Sequence, residues 1–327
     1  SQPSSIPQSA IRNPQLNRLD LAHFLTSPTN PLTARVTVNR YWQQFFGVGL
    51  VKTSEDFGLQ GEPPSNQPLL DYLAVDFRTH NWDVKRIQRL LVTSAAYRQS
   101  SKTSAELQER DPEDRLLERA PRFRLPSVIL RDQALAASGL LVEQIGGPPV
   151  NPYQPPGIWE EATFNEIKFV QDHGPSLYRR GLYTFWRRIV GPTEFFDSSS
   201  RSNCVVRPSR TNTPLHALTT LNDPTFIEAA RTMAQRVLES PATTPSDRIA
   251  YAYKLLLCRP PTDKELSVLL PSLQSLTAHY TQDQPDALKL LSIGESKRNS
   301  KLDPSTHAAY TTLCLTLLNL DETLTKE

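Results

Sequence analysis

Seven arginines and no lysine occupy the stretch between Arg179 and Arg210: Arg179, Arg180, Arg187, Arg188, Arg201, Arg207 and Arg210. Only Glu194 and Asp197 oppose them there. A guanidinium is a planar fork of N–H donors that stays charged and tolerates burial better than an ammonium. It grips carboxylate, sulfate, phosphate or backbone carbonyls. This residue choice predicts an arginine-rich polar centre, serving either an anionic ligand or an internal ion-pair network.

Other polar residues bear on the same question. Asp132 stands three and four positions from Val128, Ile129, Leu135 and Ala136, so a helix would point its carboxylate toward apolar neighbours. A buried carboxylate needs a partner, and an arginine is the economical one. Arg35 and Asn39 lie one helical turn apart on a face shared with Leu32, Val36 and Phe46. The segment RTNTPLHAL combines hydroxyls, an amide and a helix start, which suits an anion; Thr213 capping a helix before Pro214 explains it equally. Asn222-Asp223-Pro224 carries the same ambiguity.

Hydrolytic and metal chemistries find less support. Glu160 and Glu161 are adjacent and point apart, unlike the facing carboxylates of a glycosidase. No two of the 6 histidines, and no histidine and cysteine, stand at the three- or four-residue spacing that a helix would bring together, and the adjacent Asp172-His173 point apart. No metal site is therefore expected. There is no G-x-S-x-G, no glycine-rich phosphate loop and no C-x-x-C-H. The chain thus lacks the means to hold a covalent haem. Tyr183, Phe185 and Trp186 alternate with arginines, in a pattern that suits stacking on sugars or bases, or ordinary core packing.

The elements that must position these residues read as helices. Glycine is scarce at 12 and proline plentiful at 28, which suits helices joined by stiff connections. Asn30-Pro31 opens a helix that Gly47 stops. The following segment to Asn66 is a loop, and Leu69, Leu70, Leu73, Ala74 and Phe77 then keep helical spacing. Asp83 caps a further helix, and residues 99–111 read as polar and mobile. A long helix is expected from about Pro126 to Ile145, closed by Gly146-Gly147, with an aperiodic loop over 148–176. GLYTFWRRIV fits a strand or a helix. Thr213-Pro214, Asp223-Pro224 and Asp303-Pro304 are cap-plus-proline starts, and Thr262 to Glu265 is a capping box. The last helix is apolar nearly all round and should be buried. The fold class is mainly α: an irregular multi-helix domain with long proline-rich loops. Residues 1–15 read as a linker and 16–327 as one helical domain, or as a subdivision into 16–100 and 125–327.

A net charge of +2 gives no overall pull toward nucleic acid. No apolar run is long enough to span a bilayer, and no signal peptide is visible.

Several ordered blocks together resemble the planctomycetal domain-of-unknown-function 1553 family. They are NPLTARVTVNRYWQQFFGVGLVKTSEDFG, NWDVKRIQRLLVTSAAYRQS, RLPSVILRDQALAASGLL, GGPPVNPYQPPGIWEE, FVQDHGPSLYRRGLYTFWRR, RTNTPLHALTTLNDP and LLNLDETLTKE. The resemblance runs from about Asn17 to Glu327. It implies a C-terminal module of a large extracytoplasmic (periplasmic or cell-surface) protein. In that setting a cytochrome-c-like domain and a second uncharacterised domain are the linked partners, any haem belongs to the linked domain, and surface polysaccharide is the associated material. The family supplies no catalytic residues. Polar positions matching its blocks are Arg35, Asn39, Arg40, Asp56, Arg131, Asp132, Arg180, Asp197, Arg210, Asn212, Asn222 and Asp223. The chain departs from the pattern at His216, where glutamine is expected, and in SSSRSNCVVRPSR, where proline and a double arginine are more usual.

Three functional expectations follow. The first is a non-catalytic module whose arginines bind an anionic glycan or an acidic partner domain. The second is a polysaccharide-active enzyme using Asp56, Asp132, Asp197 or Asp223 as acid or base. The third is a docking platform for a linked cytochrome.

Overall fold

The computed structural model describes residues 16–187, 189–198, 203–207 and 210–326. The protein is mainly α, with fourteen α-helices and a single two-stranded sheet among the described residues. The chain divides between Pro121 and Arg122 into two compact units.

The first unit holds α1 (Arg18–Thr26), α2 (Thr33–Phe46), α3 (Gln67–Thr79), α4 (Val84–Thr93) and α5 (Ala105–Arg110). Its core joins Val38, Trp42 and Phe46 of α2 to Leu70, Leu73 and Phe77 of α3 and Ile87 and Leu91 of α4. Each such buried side chain contributes roughly 1.5–3 kcal/mol of transfer free energy. Three expectations are corrected here. α2 begins at Thr33 rather than Pro31, because the Asn30 side chain accepts the N–H groups of Leu32 and Thr33. Its buried face runs through Ala34, Val38, Asn39, Trp42, Gln43 and Phe46, leaving Leu32 exposed and Arg35 half-exposed. Residues 99–111 are organised rather than mobile: they contain α5, and buried Asp111 accepts the N–H groups of Arg115 and Leu116.

The second unit begins with β1 (Phe123–Arg124) and α6 (Ser127–Ser138). It continues through α7 (Ile158–Ala162), 3-10 turns at Gly174–Tyr178 and Gly181–Tyr183, α8 (Pro214–Asn222), α9 (Pro224–Glu239) and α10 (Pro245–Leu257). It ends with α11 (Asp263–Gln282), α12 (Gln284–Leu291), α13 (Pro304–Leu318), α14 (Asp321–Leu324) and β2 (Thr325–Lys326), which pairs antiparallel with β1. α9 and α13 pack at the centre, where Ala229, Ala230, Met233 and Val237 meet Ala308, Leu313 and Leu317. Small residues on both helices let the backbones approach closely. α13 is buried on most sides, and all the local capping signals of α8, α9, α11 and α13 start helices where the sequence places them.

α6 ends at Ser138, not at Ile145. Gly139 adopts φ +83, and the N–H groups of Leu140 and Leu141 turn back to the carbonyl of Leu135. The apolar spacing that continues through Leu140, Leu141 and Ile145 therefore belongs to a loop. GLYTFWRRIV is neither strand nor α-helix over its described residues. It holds the 3-10 turn at Gly181–Tyr183 and an isolated bridge from Thr184 to Val150.

Candidate functional site

In the first unit, one turn of α2 organises the loop that follows it. Asn39 is fully buried; its amide donates to the carbonyl of Val51 (3.0 Å) and accepts the N–H of Val51 (2.9 Å). Ser54 donates to Gln43 of the same helix face. Further on, Asp56 Oδ1 accepts the N–H of Gly58 at 2.6 Å, and Thr53 Oγ1 links the carbonyl of Asp56 to the N–H of Glu62. The loop so pinned walls a pocket of about 380 Å³ with the first turns of α2 and α3. Arg35 lines it, its Nε 2.6 Å from Asp71 Oδ1 and its Nη1 donating to Pro31. Of the four sequence candidates here, Arg35 reaches the pocket, while Asn39 and Asp56 shape its wall. Arg40 is exposed and makes no side-chain hydrogen bond or ion pair among the described residues.

In the second unit, the arginines divide by role. Arg131 is fully buried: its guanidinium donates to the carbonyls of Arg179 (2.7 Å) and Leu177 (2.8 Å), and its Nε lies 2.9 Å from Glu194 Oε1. Glu194 is also fully buried and accepts Thr225 Oγ1 at 3.1 Å. Asp132, the neighbour expected on the apolar face, sits at its edge instead, because α6 buries Ser127, Leu130, Arg131, Ala134 and Leu135. It accepts the N–H of Gly181 at 2.7 Å and lies 3.6 Å from Arg180 and 3.8 Å from Arg131. Arg179 donates to the carbonyls of Gln144, Gly146 and Pro148 and stacks 3.8 Å over Tyr183. Arg188 and Arg201 lie outside the described residues.

Burial pushes the Glu194 carboxyl up to about 7; Arg131 pulls it down and Asp223 adds to the rise. Asp223, which caps α9 through the N–H of Thr225, is raised by burial too. Between pH 4.5, where an unfolded glutamate titrates, and about 7, the folded chain keeps a proton that the unfolded chain has released. The stability contributed by this group is whole below the unfolded value and lost as pH rises through the folded one. Thermal unfolding followed by circular dichroism should therefore show the midpoint falling over that window, and Glu194→Gln should flatten the fall. An equal slope in both proteins would remove Glu194 as its source.

Sequence reasoning missed a second buried node. Glu228 of α9 accepts Tyr153 Oη on Oε2 and Tyr178 Oη on Oε1, each at 2.9 Å. The N–H of Ser296 adds a bond of 2.6 Å to Oε1, and Arg231 sits 3.4 Å away and reaches Ser296. Gly294 is required here: a Cβ on it would fall 2.3 Å from Glu228 Cδ, at a φ of +89. Burial and Glu228 push both tyrosines up from their usual value. The available signal was the run Glu228 to Arg231 at helical spacing within an apolar stretch; its tyrosine partners carry no local mark.

A third group faces outward. Arg210 lies 4.0 Å over the Phe123 ring, and its charge is disfavoured by desolvation on that side and by nearby Arg207. Arg124 donates to Asn212 Oδ1 at 2.9 Å and, after burial, helps hold His216 below its usual value. His216 stacks on Phe196 at 4.0 Å. Asp197 is the acid of this group, and its carboxylate is engaged by the N–H and hydroxyl of Ser127 at the start of α6. Arg207 and Arg210 form no ion pair among the described residues. The sequence candidates Asp197, Arg210 and Asn212 thus come together; Asn222 does not, being exposed and bonded to its own helix at Leu218.

These helices, caps and polar blocks match one family model, described as a protein of unknown function (DUF1553), over residues 17–273. The chain belongs to the DUF1553 family. No curated protein and no solved structure matches it. In this DUF1553 chain no helix among the described residues is long and apolar enough to cross a membrane, and no three of its described His, Cys, Asp and Glu residues gather as a metal site.

Proposed function

We propose that this chain is a non-catalytic helical module of an extracytoplasmic multidomain protein, and that Arg124, Arg207 and Arg210 bind an anionic glycan. The observation that carries the reading is the imbalance of the outward group. Three arginines share one nearby carboxylate, Asp197, which already caps α6, and none of the three has an ion-pair partner among the described residues. A sulfate or uronate group offers the charge they lack, and Phe123 and Phe196 offer flat surfaces beside it.

The enzyme alternative needs a carboxylate free to meet substrate. Asp56, Asp132, Asp197 and Asp223 are each engaged by a backbone N–H, and Glu194 is enclosed. Those engagements favour binding over acid–base work.

The test is a titration at low salt with a sulfated or uronate-rich oligosaccharide and a neutral one of equal length. Saturable binding of the acidic oligosaccharide alone is expected. It should weaken at least about tenfold in Arg207→Met/Arg210→Met with the melting temperature unchanged. It should also weaken with added salt, as screening requires. Equal binding of both oligosaccharides, or none, would overturn the reading.

A further inference from the structure

We infer that the pocket of the first unit is a separate binding site for a small zwitterion with an apolar body, such as a free amino acid with an apolar side chain. Its volume of about 380 Å³ falls within the range of roughly 300–1,000 Å³ usual for small-ligand sites. Leu32, Val51, Phe57 and Leu70 supply the apolar lining, while Arg35 and Glu62 carry the charges.

The two charges decide the ligand class. Arg35 spends Nε on Asp71 and Nη1 on Pro31, and its Nη2 edge has no hydrogen-bond partner among the described residues. The Glu62 carboxylate has no side-chain hydrogen bond or ion pair there either; only its backbone N–H is used, by Thr53. Both groups line the pocket, yet they form no ion pair with each other. A simple anion would meet Arg35 but be opposed by Glu62 and Asp71. A simple cation would satisfy Glu62 and leave the guanidinium edge idle. A ligand bearing a carboxylate and an ammonium satisfies both, and the remaining lining is suited to an apolar side chain.

The wall is built before any ligand arrives. Asn39 holds Val51 by two hydrogen bonds, Asp56 holds the turn at Gly58, and Thr53 holds Glu62. A loop already fixed by such bonds loses little entropy on binding, which is the gain of preorganisation.

The test is calorimetric titration of the full chain with L-phenylalanine, N-acetyl-L-phenylalanine, L-phenylalaninamide and glucose. L-Phenylalanine should bind saturably at one site, and each blocked derivative should bind at least about tenfold more weakly. Arg35→Met should weaken the zwitterion by a similar factor without affecting the amide, which lacks the carboxylate. Glu62→Gln should weaken the zwitterion without affecting the acetyl derivative, which lacks the ammonium. Asp71→Asn breaks the exposed ion pair but leaves the Nη2 edge in place, so binding should persist; its loss in that variant would mean that Arg35 acts only as scaffold. No saturable heat with L-phenylalanine up to about 10 mM, equal binding of the blocked forms, or preferential binding of glucose would overturn the assignment.

Discussion

Replacing Arg131 with methionine is expected to destabilise the second unit by about 3–5 kcal/mol, the usual cost of breaking a buried ion pair by removing one partner. Three losses combine. Glu194 is left fully buried beside Asp223 with no cation, and the carbonyls of Leu177 and Arg179 lose their donors. A methionine fills much of the volume but supplies no proton donor. Urea denaturation is the measurement, with a lowered midpoint as the outcome. At a pH well above the folded value of about 7, adding Glu194→Gln should recover part of the loss, because the uncompensated charge goes while the orphaned carbonyls remain. A single variant as stable as the parent would show that the pair contributes nothing to the fold.

Glu228→Ala should cost a similar amount, about 3–5 kcal/mol. The guanidinium of Arg231 would keep its bonds to Ser296 but lose its buried counter-charge, and the hydroxyls of Tyr153 and Tyr178 would lose their shared acceptor. Glu228→Gln keeps the shape and one acceptor oxygen, so a smaller loss of about 1–3 kcal/mol is expected. The pair of variants separates charge from volume. If alanine and glutamine cost the same, side-chain volume is irrelevant and the lost carboxylate charge carries the whole effect.

What could be read in the chain beforehand follows the range of the forces involved. Helix starts at Pro214, Pro224, Asp263 and Pro304 depend on residues within one turn, and local chemistry disclosed them. An arginine partner for Asp132 was expected from a place on the apolar face; Arg180 is that partner, but the carboxylate lies at the edge of the face instead. The end of α6 escaped because apolar spacing persists past Gly139, whose left-handed backbone turns the N–H groups of Leu140 and Leu141 back to the Leu135 carbonyl. Arg131 was nameable only as a matching polar position. Yet it stands four residues after Ser127 and three before Ala134, on the face that α6 buries. The separation of interior from outward arginines was illegible, since Arg179 and Arg210 differ in their distant partners and not in their neighbours in sequence. The zwitterion pocket was half visible. Arg35 was singled out, but its opposite charge, Glu62, lies across a loop whose path Asn39 dictates.

The two tyrosines at the Glu228 node are unequal, and this constrains how the chain can drift. Oε1 keeps the Ser296 N–H and Arg231 if the Tyr178 hydroxyl is lost, whereas Oε2 accepts from Tyr153 alone among the described residues. Tyr153 Oη also accepts the N–H of Glu295, so its removal strands a donor as well as an acceptor. Phenylalanine is thus a milder step at 178 than at 153. A lineage that first lost the hydroxyl at 153 would have to replace Glu228 before it could regain a stable interior.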